Sequence, residues 1–308
     1  MTSGGSVVVL TGGVGGAKLA LGLSHVVAPG RLSAIVNTGD DSRHLGLHVS
    51  PDIDTLIYTL SGLVDPGRGW GRANETWGFM EALRAIGGED WFNLGDHDLA
   101  LHVERSRRLA AGESLSHITA DFAARLGAGV RVVPMSDDPV ATRVITDAGD
   151  LAFQDYFVRR RCAPRVRAVR FAGAEDARPA PGVVQALADP DLEAVLIAPS
   201  NPWLSIDPIL SVPGLAGLLR DARAPVVVVT PLPGGRAVKG PTAKIMGELG
   251  LTLSIASIED HYRGVADAFL LDDADPPVAS PHARCDTLMI TLDDRIRVAR
   301  AALDLARR

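Results

Sequence analysis

Six short apolar runs punctuate the chain: Val7–Thr11, Leu32–Val36, Val130–Val133, Ala194–Ile197, Val226–Thr230 and Ala268–Leu271. They are nearly continuous rather than alternating, which is the pattern of strands covered on both faces. Helical stretches separate most of them, and this alternation predicts an α/β fold with a layered, mainly parallel sheet. Two stretches break the rhythm. From about Asp65 to Leu126 no strand is evident. Asn74 is placed to cap a helix over Glu75–Ile86 that carries Trp77, Met80, Leu83 and Ala85 or Ile86 toward one side and stops at Gly87-Gly88. Two further helices are expected over Asp98–Ala111 and Leu115–Leu126, parted by Gly112. Thr142–Val158 then nearly alternates around Ala148-Gly149, which predicts a β-hairpin. The basic run Arg159–Arg161 leaves it as a solvated exit, with contact to an anionic ligand as the alternative, and Asp293–Arg308 reads as a terminal amphipathic helix with a basic face.

A chain of 308 residues is long enough for one large domain carrying an insertion. With 46% hydrophobic and 22% charged residues, a packed core is expected. The net charge of −6 argues against a general nucleic-acid binder, which needs a basic footprint. No run approaches the ~18 consecutive apolar residues of a membrane span. Met1–Gly5 leads straight into a strand and lacks the parts of a signal peptide. Cys162 and Cys285 lie far apart and in no metal spacing. Together these point to a cytoplasmic protein with small-molecule partners and neither nucleic acid nor membrane among them.

Chemistry first enters at "GGVGGAK", Gly12 to Lys18, directly after the first run. A P-loop would need G-x-x-x-x-G-K-[ST], and here the second glycine and the hydroxyl are missing. A dinucleotide fingerprint would need G-x-G-x-x-G; Gly13 and Gly15 fit, but Lys18 holds the last position and no acid ends the second strand. What remains is a tight turn at a helix N-terminus, whose unpaired amides and partial positive charge suit an anion. Gly12, Gly13, Gly15, Gly16 and Lys18 are therefore expected around a phosphate or diphosphate. The alternative is that the glycines only permit close strand–helix packing.

The second run ends in "NTGDDSRHLGLHVSPDIDT", Asn37 to Thr55, with Asp40, Asp41, Asp52 and Asp54 close together. Repelling carboxylates beside a phosphate site make sense if a hard cation lies between them, and magnesium accepts one or two carboxylates plus phosphate oxygens. Turn and capping roles are the competing reading for each acid alone. His44 and His48 have the spacing of a zinc pair on a helix, but Gly46 interrupts it and no third ligand is evident.

In order along the chain, "TGGVGGAKLALGL", "NTGDD", "SPDIDTLIYTLSG", "RGWGRANETW", "LGDHDLALHVERS", "PMSDDPVAT", "FQDYFVRRR", "APSNPWLSI" and "TLM" together resemble the 2-phospho-L-lactate transferase family (CofD/FbiA type) of coenzyme F-420 biosynthesis. The resemblance runs from Val7 to about Met289. It implies a Rossmann-like three-layer core formed by residues 1–64 and 127–308, a helical insertion at 65–126 capping the acceptor site, and a homodimer. It also implies a reaction. A guanosine diphosphate-linked three-carbon acid gives its phospho-acid moiety to the deazaflavin alcohol Fo, GMP leaves, and magnesium is required. On this resemblance Asp40 is expected to hold the metal with Asp54. Asp54 lies against Fo as a catalytic group, and Asn93 falls at a second Fo contact. Ser200 and Asn201, between the stiffening prolines of "APSNPW", would meet guanosine or phosphate.

Lesser expectations follow. Ser136, Asp137 and Asp138 end another strand; Arg236, Lys239 and Lys244 form a basic loop that could meet the donor; Trp70, Trp77 and Trp91 could line the deazaflavin pocket. The "GWG…NETW" block resembles actinobacterial members and favours a phosphoenolpyruvyl donor over 2-phospholactyl or 3-phosphoglyceryl. The main rival shares the fold: a YvcK-like regulator that binds a nucleotide sugar without turnover. A nicotinamide oxidoreductase lacks its ribose-reading acid here.

Overall fold

The computed structural model describes residues 4–235 and 242–308. The chain opens with β1 (Ser6–Thr11), α1 (Gly13–Ser24), β2 (Leu32–Val36), the short pair β3 (Ser42–His44) and β4 (Leu47–Val49), and α2 (Pro51–Leu60). Helices α3 (Gly78–Ala85), α4 (Asp96–Ala110) and α5 (Leu115–Arg125) precede β5 (Arg131–Pro134), β6 (Ala141–Thr146), β7 (Gly149–Ala152) and β8 (Val166–Ala172). Next come α6 (Pro181–Leu187), β9 (Leu192–Ile197), α7 (Asp207–Leu210), α8 (Leu215–Asp221) and β10 (Val226–Val229). The chain closes with α9 (Thr242–Glu248), α10 (Ile255–His261), β11 (Ala268–Asp272), β12 (His282–Cys285) and α11 (Leu292–Ala306).

The six apolar runs and β12 form one seven-stranded sheet, ordered β12-β11-β10-β9-β1-β2-β5, in which every pairing is parallel. Leu10 of β1 lies level with Ile35 on one side and Ile197 on the other. Because side chains alternate across a strand, Val7 and Val9 enter one core with α1, α2, α5 and α11, while Val8 and Leu10 enter the other with α6, α7, α8 and α10. This is the expected three-layer α/β arrangement. The winding starts at β1, proceeds through β2 to β5, and returns on the opposite side of β1 with β9. The crevice at the carboxyl ends of β1 and β9 is therefore a topological switch point, where open α/β sheets bind ligands. Among the described residues, no single helix is long and apolar enough to cross a membrane.

Some expectations change. The hairpin is the core of a three-stranded antiparallel sheet, β7-β6-β8, and its second strand stops at Ala152 because a π-helical turn occupies Asp155–Arg159. β8 and β12 are missed by hydrophobic pattern because both are largely solvated, and β12 pairs on one edge only. His44 and His48 lie on a hairpin, not a helix. Leu45 and Gly46, with φ of 51° and 78°, make its turn, as two-residue hairpins require. The zinc pair is thereby excluded: His44 packs edge-on to Trp91, whereas His48 Nε2 lies 2.9 Å from Asp41 Oδ2.

The insertion divides in two. Ile118 and Phe122 of α5 belong to the main core, so this helix is part of the sheet's covering layer. Met80 and Leu94 form a separate cluster with Val49, flanked by Trp77 and Phe92. Asn74 does not cap α3, which starts four residues later at Gly78. Instead the two helices cap each other. The Asp96 carboxylate accepts the Thr76 hydroxyl at 2.5 Å and the amides of Gly78 and Phe79 at 3.0 Å each. In return, Glu75 accepts the amides of His97 and Asp98 at 2.8 and 2.9 Å. Orphan amides of both N-termini are satisfied by this exchange, which sets the angle of α4.

Candidate active site

The glycine turn is shaped by two different demands. Gly13, the first residue of α1, has φ of 64° and open space where a Cβ would stand, so its glycine serves the backbone conformation. The other three are pressed against protein. A Cβ on Gly12 would lie 2.6 Å from Asp52 Oδ2 and 2.8 Å from the Ser205 Cβ. One on Gly15 would collide with the Pro199 carbonyl oxygen, and one on Gly16 with the Thr11 hydroxyl. The packing alternative thus accounts for Gly12, Gly15 and Gly16. The partner is the segment after β9: Ser200 Oγ accepts the Gly12 amide at 3.3 Å and donates to the Gly12 carbonyl at 2.8 Å. Asn201 Oδ1 accepts the amides of Trp203 and Leu204 at 3.0 and 3.1 Å, capping the next turn, and its Nδ2 donates to Thr242. Ser200 thus ties the glycine turn to the segment after β9, while Asn201 caps its own turn and reaches α9. Lys18 points elsewhere, its Nζ donating to the Met289 carbonyl at 2.6 Å before α11.

The carboxylates after β2 converge on this turn. Asp52 Oδ1 accepts the Gly13 amide at 2.8 Å, and its Oδ2 accepts Asn37 Nδ2 at 3.0 Å. Asn37 Oδ1 in turn fixes the Gly39 amide at 2.7 Å, so one side chain joins the end of β2 to α2. Asp40 is buried, and its Oδ1 makes no hydrogen bond. Burial first, and the neighbouring Asp52 charge second, push its carboxyl well above the usual range. Burial likewise raises Asp52 to about 6. Asp41, also raised by burial, accepts His48 Nε2 at 2.9 Å and the Ser50 hydroxyl at 2.7 Å. The result is a buried acidic group at a strand-end crevice in which Asp40 Oδ1 and Asp41 Oδ1 are both orphaned. Among the described residues no three His, Cys, Asp or Glu side chains form a ready-made metal cage. A hard cation sharing phosphate oxygens needs only one or two carboxylates, and Asp40 has the donor chemistry and the unpaired oxygen to fit it.

Asp54 has a different environment. Both of its oxygens are gripped by Arg105 of α4, Oδ2 by Nη1 at 3.1 Å and Oδ1 by Nη2 in a shorter contact. A cation placed on Asp54, where a metal role was expected, would meet that guanidinium. α4 presents Asp98, His102 and Arg105 one turn apart to α2, where Tyr58 and Asp54 answer them. Arg105 Nη1 also lies 3.4 Å from His102 Nδ1, and Ser106 accepts the His48 amide at 2.7 Å. Burial lowers His102 to about 4, keeping the imidazole neutral, and raises Asp98 to about 6.

Other expected residues lie apart from this group. Asn93 is exposed and accepts Arg84 Nη2 at 3.0 Å. Trp70 is exposed beneath Arg68, while Trp91 packs with His44 and Phe92 under Arg159. Asp137 and Asp138 accept the amides of Ser116 and Arg178, which makes the loop after β5 structural. Lys244 pairs with Glu248 at 2.7 Å, and Arg236 and Lys239 lie outside the described residues. Arg105, His102, Asn37 and Asp98 were not singled out from sequence. The spacing of Asp98, His102 and Arg105 was the available signal, but a polar stripe on a helix is usually solvated.

The model of the 2-phospho-L-lactate transferase CofD family matches residues 7–302. The phosphoenolpyruvate transferase of Streptomyces coelicolor is 41% identical, over 97% of this chain and 98% of its own. That of Mycolicibacterium smegmatis is 38% identical with the same shares covered. Among solved structures, a UPF0052 family protein of Bacillus halodurans superimposes with a TM-score of 0.63 at 16% identity, covering 97% of this chain and 99% of that one. At that identity the likeness concerns the fold.

Proposed function

The chain belongs to the 2-phospho-L-lactate transferase CofD family, and from that premise we propose that it moves a phospho-three-carbon-acid moiety from a guanosine diphosphate-linked donor to the alcohol of the deazaflavin Fo, releasing GMP. The names of the relatives favour a phosphoenolpyruvyl donor. The observation that carries the reading is the unpartnered Asp40 oxygen among raised carboxylates beside the Gly12–Gly13 turn. That arrangement is costly when empty and is relieved by a cation with a phosphate.

In this reading the acceptor hydroxyl oxygen attacks the phosphorus, the bond from phosphorus to the GMP oxygen breaks, and the hydroxyl proton goes to a carboxylate. Magnesium, when bound, offsets charge on the phosphoryl oxygens, and Asp40 would hold it. The α1 N-terminus, with the Gly12 and Gly13 amides already held by Ser200 and Asp52, orients the diphosphate through its dipole. Asp54 lies against the acceptor. Asp52, raised to about 6 by burial, lies in the range of a general base at neutral pH and takes the proton in this reading. Such transfers depend chiefly on positioning and charge neutralisation.

The test is incubation with Fo, magnesium and each of the three guanosine diphosphate-linked acids. GMP on chromatography with an equimolar phospho-acid adduct of Fo by mass spectrometry is expected, fastest with the phosphoenolpyruvyl donor. Neither product from any donor would overturn the assignment.

A further inference from the structure

We propose that Arg105 is a positioning residue for the acceptor: its two-pronged grip on Asp54 holds the carboxylate in the orientation that receives the alcohol. The inference rests on the acceptor contact assigned to Asp54 above.

Arg105 is completely buried, the largest side chain to be so among the described residues. A buried ion pair is weak evidence of a stabilising role, since well-packed apolar groups of similar volume serve stability as well or better. Its geometry points to orientation instead. Apart from Arg105, the only ion-pair partner of Asp54 among the described residues is His102 at 3.7 Å, and that imidazole is kept neutral. Arg105 supplies two donors from a rigid planar fork, which fixes a carboxylate in plane as well as in place.

Arg105 is itself held from several directions. Its Nη1 reaches the His48 carbonyl at 3.5 Å as well as His102 Nδ1, and its guanidinium lies 5.9 Å from the Phe122 ring centre. Through β4 the same hold extends to the second carboxylate group, because His48 carries Asp41 on its Nε2. Asp54 of α2 and the inner face of α4 thus meet at one guanidinium, and Asp41 after β2 is linked to it through His48. The reciprocal Glu75–Asp96 caps fix the angle at which α4 delivers it.

Arg105→Lys keeps the charge and removes the fork. In the folded variant, kcat is expected to fall about 100-fold, the loss typical of a reactant misplaced by about 1 Å. The KM for Fo should rise while the KM for the donor stays within about twofold. Calorimetric titration of Fo alone, which needs no turnover, should show the same weakening. Adding guanidinium to Arg105→Ala should restore part of the rate. Asp54→Asn combined with Arg105→Lys should lose little more than Asp54→Asn alone. Thermal melts identify variants that have not folded, and Asp54→Asn then still reports on the Asp54 side of the pair. Wild-type kcat and Fo affinity in folded Arg105→Lys would overturn the inference, as would equal rises in both KM values or additive losses in the double variant. A wild-type chain that binds Fo but turns over no donor would fail the transferase reading; one that binds no Fo would fail both.

Discussion

The carboxylate of Asp52 accepts the backbone N–H of Gly13 at 2.8 Å, so an acid from α2 sits on the first amide of the helix that follows the glycine turn. Burial holds its carboxyl near 6, against about 3.9 in an unfolded chain. The folded state binds this proton more tightly, so stability declines as pH rises from about 4 to about 6 and stays reduced above that. Asp52→Asn removes the penalty, at most about 3 kcal/mol at neutral pH. In buffer with EDTA the stability of the variant relative to wild type should rise by up to that amount between about pH 4 and pH 7.5, offset at every pH by the acceptor that asparagine lacks for Gly13 or Asn37. Its turnover should drop by about 100-fold or more if Asp52 takes the alcohol proton. A relative stability that does not rise with pH over this range would contradict the assigned cause of the shift.

Asp40→Asn keeps the shape of the side chain and removes its charge. Release of GMP should fall at least about 100-fold at every magnesium concentration, since several kcal/mol of charge stabilisation are lost. Circular dichroism should be unchanged and the melting temperature no lower, because a repelling buried charge has gone. Full activity would remove Asp40 from the metal site.

The glycines should separate by mechanism. Gly16→Ala drives a methyl group into the Thr11 hydroxyl and Ser200 Oγ, and Gly15→Ala drives one into the Pro199 carbonyl. Each should cost roughly 1–3 kcal/mol in urea unfolding. Gly13→Ala meets open space and pays only for its positive φ, about 1 kcal/mol. Equal losses at all three positions would show that the turn is not clamped by the segment after β9.

Arg105→Met leaves Asp54 as an unpaired buried carboxylate and should destabilise the protein by about 3–5 kcal/mol. Arg105→Met with Asp54→Leu should recover most of that in the same unfolding measurement while remaining inactive. Recovery of stability without activity separates the structural from the positioning role of the pair.

Asp96→Ala withdraws one carboxylate from the Thr76 hydroxyl and two amides at the start of α3. A loss of about 1–2 kcal/mol is expected, with faster hydrogen exchange at Gly78 and Phe79. Unchanged exchange there would mean that the cap contributes nothing in solution.

The apolar runs alone determined six of the seven strands of the parallel sheet, because strands covered on both faces have no polar side to show. The glycine turn and the acids after the second run likewise announced a site at the first two strand ends, since both are local features of chain chemistry. Which acid does what was a different matter. Asp52 and Asp54 share the same four-residue stretch, and a helix sends them to opposite partners. Only the burial of Ile53 and Ile57 in the core decides that Asp52 meets Gly13 and Asp54 meets Arg105. The stripe Asp98, His102 and Arg105 has the pattern of a wet face until the polar surface of α2 is placed against it. Nor can a glycine reveal whether ligand or protein approaches it: the neighbour of Gly12 is Ser200, 188 residues away. Periodicity reports what a segment would bury. The partner it buries against is set by contacts that the chain makes only after it has folded.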